Sequence, residues 1–269
     1  MELFPCIILI STPYAYLSYT TTTLKQGVSE KVEREAFLSG YRRGLRSCLT
    51  ERSDGFAAHP LTSVRAKNLA REAALNEALE RFVWATWWDH EPVAYSVQTH
   101  EIAPGIEKEI GIAGGMLLEL EKRLPMRRLN IIAPNFQFST GGKEVLILVA
   151  ETESGVITGG ACGDRGDREK TLLRAAAELV RHALVLVQGK TRVGSFSFYE
   201  KRLLYFASPE GREKFRKRLS VQGSETILLP ELSIDEEVSH SGENSHVVYR
   251  CLFRDQPPFV GGALERMCL

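Results

Sequence analysis

The sequence has few cysteines and no net charge, and each shortage narrows the possible functions. Its 269 residues include five cysteines, an odd number spread along the chain without a close pair. This spacing suits neither a disulfide framework nor a zinc cluster, so we expect a protein of the reducing cytoplasm. The 34 basic and 34 acidic residues cancel, which disfavours non-specific binding of nucleic acid.

Membrane signals and the common nucleotide motifs are also missing. The apolar run at residues 4–10 is too short to span a bilayer, and Glu2 stands where a secretion signal carries basic residues. We therefore expect a buried strand there and no membrane partner. The sequence contains no GxxxxGK[ST] loop, no GxGxxG motif after a strand and no HExxH motif, which excludes the usual phosphate-binding loops and zinc-protease helix.

The composition is that of a folded chain with a full core. With 43% hydrophobic and 25% charged residues, the chain is neither disordered nor fibrous. At about 150 residues per domain, its length fits one large domain or two small ones. We predict an N-terminal strand and helix over residues 1–50, a main domain over 51–260 that packs with them as one unit, and a tail over 261–269.

Helical and strand patterns alternate along the chain. The predicted helices have a 3.6-residue apolar period and cover residues 29–49 with Ser29 as N-cap, 62 or 63 to 88, 106–124, 169–187 and 209–219. The predicted strands cover 129–132, 145–149 and 247–253, the first two separated by a Gly141-Gly142 turn. Residues 55–58 and 160–163 are predicted as glycine-bearing turns, and 223–244 as a polar, mobile segment. Helices interleaved with strand pairs predict an α+β or mixed α/β fold.

Two of the predicted helices resemble each other. Aligning Glu77 with Glu178 places residues 74–81 on residues 175–182, and each helix follows a segment that carries glycine and alanine. This match indicates an internal duplication into two related helix-plus-sheet halves, although alanine-rich helices also match by chance.

Carboxylates and arginines occupy one face of each of these helices. Glu77, Glu80 and Arg81 follow the i, i+3, i+4 rule on an alanine-rich stripe, and the aligned face of the second helix carries Glu178 and Arg181. Mg²⁺ prefers oxygen ligands and often shares them with nucleotide phosphates, which arginine binds bidentately. Two such helices could hold Mg-ATP, but the same pattern is common on surface helices, where the glutamates are structural.

The order of the segments resembles that of the YcaO family. Residues 70–82 (AREAALNEALERF), with GFAAHP at 55–60 upstream, are similar to the SxxxExxER helix of that family. The later segments follow in the family's order: MLLELEKR at 116–123, the paired strands, GGACG at 159–163, LLRAAAE at 172–178, YFASP at 205–209 and residues 247–258. The resemblance covers roughly residues 50–260, and ExxER is its specific motif.

This resemblance implies a YcaO-like single domain that binds ATP and Mg²⁺ and activates a peptide backbone amide by phosphorylating its oxygen. A side chain or sulfide then attacks, which gives an azoline, a thioamide or an amidine in a ribosomally made peptide. We therefore expect ATP and Mg²⁺ as cofactors, a precursor peptide as substrate and a partner protein that delivers it. The sequence is also compatible with a homo-oligomer.

The resemblance also assigns roles by position. Glu77, Glu80 and Glu178 match the metal-ligand glutamates of the family, and Arg81 matches the neighbouring phosphate-binding arginine. Other positions depart from the family pattern: Ala73 replaces a serine, Lys170 replaces a metal-binding carboxylate, and Arg181 replaces a glutamate or glutamine.

The two substituted cations have two interpretations. Lys170 and Arg181 either supply fixed charge in place of a magnesium ion, in which case they join Arg81 as catalytic residues, or they mark an inactive copy. The sequence therefore leaves three functions open. The first is an ATP-dependent amide-activating enzyme, and the second is a catalytically silent YcaO-like module that binds a peptide or scaffolds a partner enzyme. The third is an unrelated α/β protein whose glutamates are structural.

Several further residues have both a functional and a structural interpretation. His182 is either a proton relay or a surface or packing residue. The tryptophans at 84, 87 and 88 form either a platform for adenine or a core or oligomer face. Cys162 is either a reactive thiol or a buried apolar residue. The arginines form either solvated helix faces or an RNA surface, and they are Arg42, Arg43, Arg46 and those of 212–218.

Overall fold

The structure, a computed structural model, describes residues 55–60, 66–138, 141–189, 198–237, 246–257 and 263–267. The predictions for residues 1–50 lie outside the described residues. Helices and mainly antiparallel sheets are both present, so the fold is mixed α+β, as the alternation of patterns predicts. Among the described helices, none combines the length and the apolar character that crossing a bilayer requires.

The described elements are helices and strands that follow one another singly or in short runs of one type. In chain order they are β1 (Gly55–Pro60), α1 (Ala66–Asp89), β2 (Tyr95–Glu101), α2 (Ile106–Ile110), α3 (Ile112–Glu121), β3 (Met126–Pro134), β4 (Phe136–Gln137), β5 (Lys143–Thr152), β6 (Val156–Asp164), a 3₁₀ turn (Arg165–Asp167), α4 (Arg168–Gly189), α5 (Phe198–Phe206), α6 (Pro209–Ser220), β7 (Ile227–Leu228), β8 (Leu232–Glu237) and β9 (His246–Phe253).

The described residues divide into two compact units. Unit 1 contains residues 55–60, 66–82, 230–237 and 246–257, and unit 2 contains residues 83–138, 141–189, 198–229 and 263–267. Helix α1 therefore contributes its residues up to Phe82 to unit 1 and the remainder to unit 2.

Most of the strong sequence patterns are confirmed. Two predicted helices are present: 169–187 corresponds to α4 and 209–219 to α6. Three predicted strands are also present: 129–132 corresponds to β3, 145–149 to β5 and 247–253 to β9. Gly141 and Gly142 precede β5 with φ of 63° and 73°, a left-handed conformation that glycine adopts without steric cost. The helix predicted over 106–124 is divided into α2 and α3 at Gly111, whose φ is 62°.

The two segments predicted as glycine-bearing turns are strands. Residues 55–58 belong to β1 and residues 160–163 to β6. Gly159 of β6 reflects the close approach of α4, since a Cβ there would lie 2.3 Å from the Leu179 nitrogen and 2.4 Å from the Ala175 oxygen. Glycine inside a strand often marks such a contact between backbones, so Gly159 serves packing and not a turn.

Five described elements have no counterpart among the predictions: β2, β4, α5, β7 and β8. Both β2 and β8 are edge strands whose side chains are mostly exposed and polar. Each strand has only a short alternation of apolar and polar residues, YSVQ in β2 and LSID in β8, which is a weak signal for strand prediction. The segment predicted as polar and mobile over 223–244 is therefore wrong where it is described, because residues 227–237 contain β7 and β8.

Unit 1 consists of a three-stranded antiparallel sheet, ordered β1-β9-β8, and the first part of α1. Two ion pairs join α1 to β8. Arg71 binds Asp235 through two hydrogen bonds of 2.9 and 2.5 Å, and Lys67 lies 3.1 Å from Glu237. Phe82 packs edge-to-face on Phe253, with ring centroids 5.6 Å apart.

Unit 2 has an antiparallel sheet ordered β2-β3-β5-β6, packed by α4 along β5 and β6. Its core includes Trp84, Trp87 and Trp88, all buried, which supports the structural interpretation of these residues. Arg218 lies beneath them with its guanidinium carbon 4.7 Å from the Trp87 ring centroid, and it donates two hydrogen bonds to the Trp87 carbonyl. The expectation that Arg218 lies on a solvated face is wrong, whereas Arg216 is exposed.

Three side chains of α4 hydrogen-bond to backbone groups along the outer edge of β6. The contacts are Arg174 Nη1 to the Cys162 carbonyl at 3.1 Å, the Gly160 N–H to Glu178 Oε2 at 2.7 Å, and His182 Nδ1 to the Thr158 carbonyl at 2.6 Å. Four residues of helix advance about 6 Å and two residues of strand advance about 6.6 Å. Every fourth side chain of α4 therefore stays level with every second residue of β6. We call these three hydrogen bonds the edge ladder.

The close contact at Gly159 predicts that a single methyl group destabilises unit 2. Gly159→Ala places its Cβ against the backbone of α4, which cannot move as a side chain can, and overpacking of this kind costs about 1–3 kcal/mol. Gly115→Ala in α3 is the matched control, because no atom lies within 4 Å of its added Cβ. Urea unfolding should show a loss for Gly159→Ala and a gain of about 0.5–1 kcal/mol for Gly115→Ala. Equal stabilities would contradict the packing.

The buried His182 predicts that stability falls in mild acid. Burial lowers the pKa of His182, so the folded protein keeps this side chain neutral, with its Nδ1 hydrogen on Thr158. The unfolded chain takes up a proton near pH 6.5, and below that pH unfolding is favoured by up to about 1.4 kcal/mol per pH unit. Measured between pH 7.5 and 5, the unfolding free energy of His182→Gln should vary less with pH than that of the wild type. Parallel pH profiles would rule out this contribution.

Candidate functional site

The glutamates and arginine predicted on the first helix lie together in unit 1. Glu77 and Arg81 form an i, i+4 ion pair on α1, with side chains 33% and 17% exposed. Glu80 lies on the same helix and is partly exposed. Arg81 therefore neutralises Glu77 on this helix face.

Unit 1 also contains a hydrogen-bonded cluster that the sequence does not reveal. Asp235 accepts hydrogen bonds from Arg71 and Tyr249, and the bond from Arg71 is the main reason that the pKa of Asp235 lies below its usual value. The Cys251 thiol lies 3.9 Å from Asp235 Oδ1, and burial raises its pKa to about 12. Cys251 is thus a protonated thiol near neutral pH, unlike the thiolate that acts as a nucleophile.

Glu178 lies in unit 2, and both of its carboxylate oxygens face protein donors. Its Oε2 accepts the Gly160 N–H at 2.7 Å in the edge ladder. Its Oε1 is 3.9 Å from Nη2 of Arg181, and the two side chains are 17% and 21% exposed. The charge of Glu178 is therefore balanced within unit 2, and its position is set by the edge of a strand.

The two cations that depart from the family pattern differ in their surroundings. Lys170 is 71% exposed and pairs with Asp167, whose Oδ2 lies 3.8 Å away on the preceding turn. Arg181 pairs with Glu178, and its Nε is buried without a hydrogen-bond partner among the described residues. Arg181 thus keeps one guanidinium donor that its partner does not use.

The two further candidates in unit 2 are buried. Cys162 lies in the interior of β6, and its carbonyl accepts the hydrogen bond from Arg174. His182 uses Nδ1 for the Thr158 carbonyl. Both observations support the structural interpretation of these residues.

Neither unit, taken by itself, brings together a set of carboxylates that could hold a magnesium ion among its described residues. Within the described ranges, no group of three or more His, Cys, Asp or Glu side chains is placed to hold a metal. Glu77 and Glu178 each have an arginine of their own helix as ion-pair partner, and a fixed cation removes the negative charge that a divalent ion requires. Because Glu77 and Glu80 lie in unit 1 and Glu178 in unit 2, their shared metal site stays a prediction.

A cleft of about 390 Å³ opens in unit 2 where β2, β3, β4 and β5 meet the 3₁₀ turn. Its lining includes Tyr95, Phe136, Glu144 and Arg165, and none of the predicted site residues. Glu144 is buried and accepts a 2.5 Å hydrogen bond from Arg168. The sequence gives no signal for this cleft, because its residues come from four strands and a turn.

Comparisons with known proteins give likenesses among solved structures only. No protein-family model matches the chain, and no curated protein matches it. Among solved structures, YcaO from Methanopyrus kandleri bound with AMPPCP and Mg²⁺ is similar, with a TM-score of 0.48 and 16% sequence identity over 77% of this chain and 55% of that chain. This chain thus spans about half the length of that structure. A TM-score below 0.5 supports no further conclusion, so the function of this chain has to be inferred from its own residues.

Proposed function

We propose that this chain is a YcaO-like module that binds a peptide or a partner protein without turning over Mg-ATP. The proposal depends chiefly on Glu178, the glutamate that the resemblance assigns to metal binding on the second helix. One oxygen of Glu178 accepts the Gly160 N–H and the other faces Arg181. Moving Oε2 to a metal would leave a backbone donor of β6 without a partner, at a cost of about 1–3 kcal/mol, and Oε1 would have to give up its ion pair with Arg181.

The substituted cations support the same proposal. In an inactive copy, cations at former ligand positions pair with neighbouring carboxylates instead of a nucleotide. Arg181 pairs with Glu178, and Lys170 pairs with Asp167. Since Lys170 is largely exposed to solvent, its charge is screened and is a poor replacement for a magnesium ion.

A second candidate function is the Mg-ATP-dependent activation of a peptide backbone amide, which gives an azoline, a thioamide or an amidine. The spare Nε donor of Arg181 favours it, because buried guanidinium donors bind phosphate oxygens well. In this candidate, the glutamates at 77, 80 and 178 hold Mg²⁺, Arg81 binds phosphate, and Lys170 and Arg181 supply fixed positive charge.

Nucleotide binding distinguishes the two candidates. Isothermal titration calorimetry of the full chain with ATP, with and without Mg²⁺, should give no saturable Mg²⁺-dependent heat at millimolar ATP, because arginines already balance Glu77 and Glu178. Glu77→Ala should give the same trace as the wild type. Saturable Mg²⁺-dependent binding that Glu77→Ala removes would overturn the proposal in favour of the enzyme.

A pair of substitutions tests the structural role of Glu178. Glu178→Gln keeps an oxygen acceptor for the Gly160 N–H, whereas Glu178→Ala leaves that donor unpaired. We expect urea unfolding to show a loss of about 1–3 kcal/mol for Glu178→Ala. The loss for Glu178→Gln should be at most about 1 kcal/mol, since the pair with Arg181 is partly exposed.

The opposite pattern identifies a ligand carboxylate. A metal-binding glutamate is costly to hold without its metal, so removing it leaves the free protein equally or more stable. If both Glu178 variants are at least as stable as the wild type, Glu178 does not support the strand edge.

A further inference from the structure

The two edges of the unit 2 sheet differ in how they are protected. The outer edge of β6 is closed by the edge ladder, whereas β2 pairs with β3 on one side, and no described residue pairs with its other side. Natural edge strands usually carry lysine, proline or a bulge that discourages further pairing. The seven residues of β2, YSVQTHE, contain no lysine, arginine or proline, and their register with β3 has no shift.

The backbone hydrogen bonds show which groups of β2 point outward. The Ile102 N–H donates to Arg127, and the Ala94 carbonyl accepts from Asn135, so residues with even numbers direct their backbone groups toward β3. Along an antiparallel strand the direction alternates. The groups that face away from β3 are those of Tyr95, Val97, Thr99 and Glu101.

We infer that β2 pairs antiparallel with β2 of a second copy of this chain, centred on Gln98. In this register Tyr95 lies opposite Glu101 of the partner subunit, Val97 lies opposite Thr99 of the partner subunit, and Gln98 lies opposite itself. No like charges meet, and each β-branched residue faces another, which is a favourable cross-strand pair. Pairing also covers Val97, which is 46% exposed.

The side-chain pattern favours a second copy over an unrelated peptide. Any extended chain could use the outward backbone groups, since main-chain hydrogen bonds do not select a sequence. The strand complements itself about one two-fold axis, with its acidic end opposite a neutral tyrosine. A self-complementary patch of this kind is what an isologous dimer requires. The inference does not depend on the proposed function, because no site residue takes part.

Engineered disulfides test the register directly. The backbone groups of Gln98 point inward, so the two copies of residue 98 form a non-hydrogen-bonded pair with Cα atoms about 4.5 Å apart, within disulfide range. In Gln98→Cys we expect at least tenfold more disulfide-linked dimer than in Thr99→Cys. Residue 99 of each copy lies diagonally from its counterpart at about 7–8 Å, and both variants keep the same native cysteines. Non-reducing gels of the full chain measure this ratio.

A second variant tests the edge by loss of pairing. Light scattering should give the wild type twice the mass of one chain, and Val97→Pro should give the mass of one chain, because proline removes an outward N–H that β3 does not use. A wild type that is monomeric at tens of micromolar, a Val97→Pro variant that remains dimeric, or equal cross-linking in the two cysteine variants would each overturn the inference. If Val97→Pro fails to fold, the cross-linking ratio decides alone.

Discussion

Side chains four residues apart on α4 satisfy backbone groups along the open edge of β6, and this constraint determines both the packing and the chemistry of unit 2. It requires small residues in β6 so that the helix can lie close, and Gly159 meets that requirement. It requires an acceptor at Glu178 and a neutral imidazole at His182. Because Oε2 of Glu178 supports the strand edge and Oε1 pairs with Arg181, a metal ion would compete with both contacts, which is why the edge ladder bears on function.

The sequence predicts elements whose signals are local. The apolar periods of α4 and α6, the β-branched runs of β3 and β5, and the two glycines before β5 all depend on neighbours in the chain. The β6 glycines lead to a wrong prediction of a turn, because glycine is favoured both in turns and where a helix packs closely on a strand. The burial of Arg218 is also not predictable from the chain, because the basic residues beside it, Arg216 and Lys217, are exposed and only the fold places its guanidinium against the Trp87 ring.

The sequence predicts which residue types lie on the helix faces of the candidate site, but it does not predict which distant groups they contact. Helical spacing places Glu77 with Arg81 and Glu178 with Arg181, and the structure contains both pairs. The hydrogen bond from Gly160 to Glu178 joins a helix to a segment that the sequence presents as a turn. Arg71 and Asp235 stand 164 positions apart, and no local pattern links them. Residue types therefore indicate what chemistry a helix face could perform, while the tertiary contacts decide what those residues already do.

Hydrogen exchange at one amide tests the role of Glu178 most directly. The Gly160 N–H lies on the outer edge of β6, where an amide without a partner exchanges quickly with solvent. If Glu178 accepts this hydrogen, solution NMR of the full chain should show a protected Gly160 amide whose exchange rate does not change when Mg²⁺ and ATP are added. A fast-exchanging Gly160 amide would contradict the hydrogen bond on which the proposed function depends. Protection that is lost when Mg-ATP is added would show that the carboxylate serves a nucleotide site, and would also contradict the proposed function.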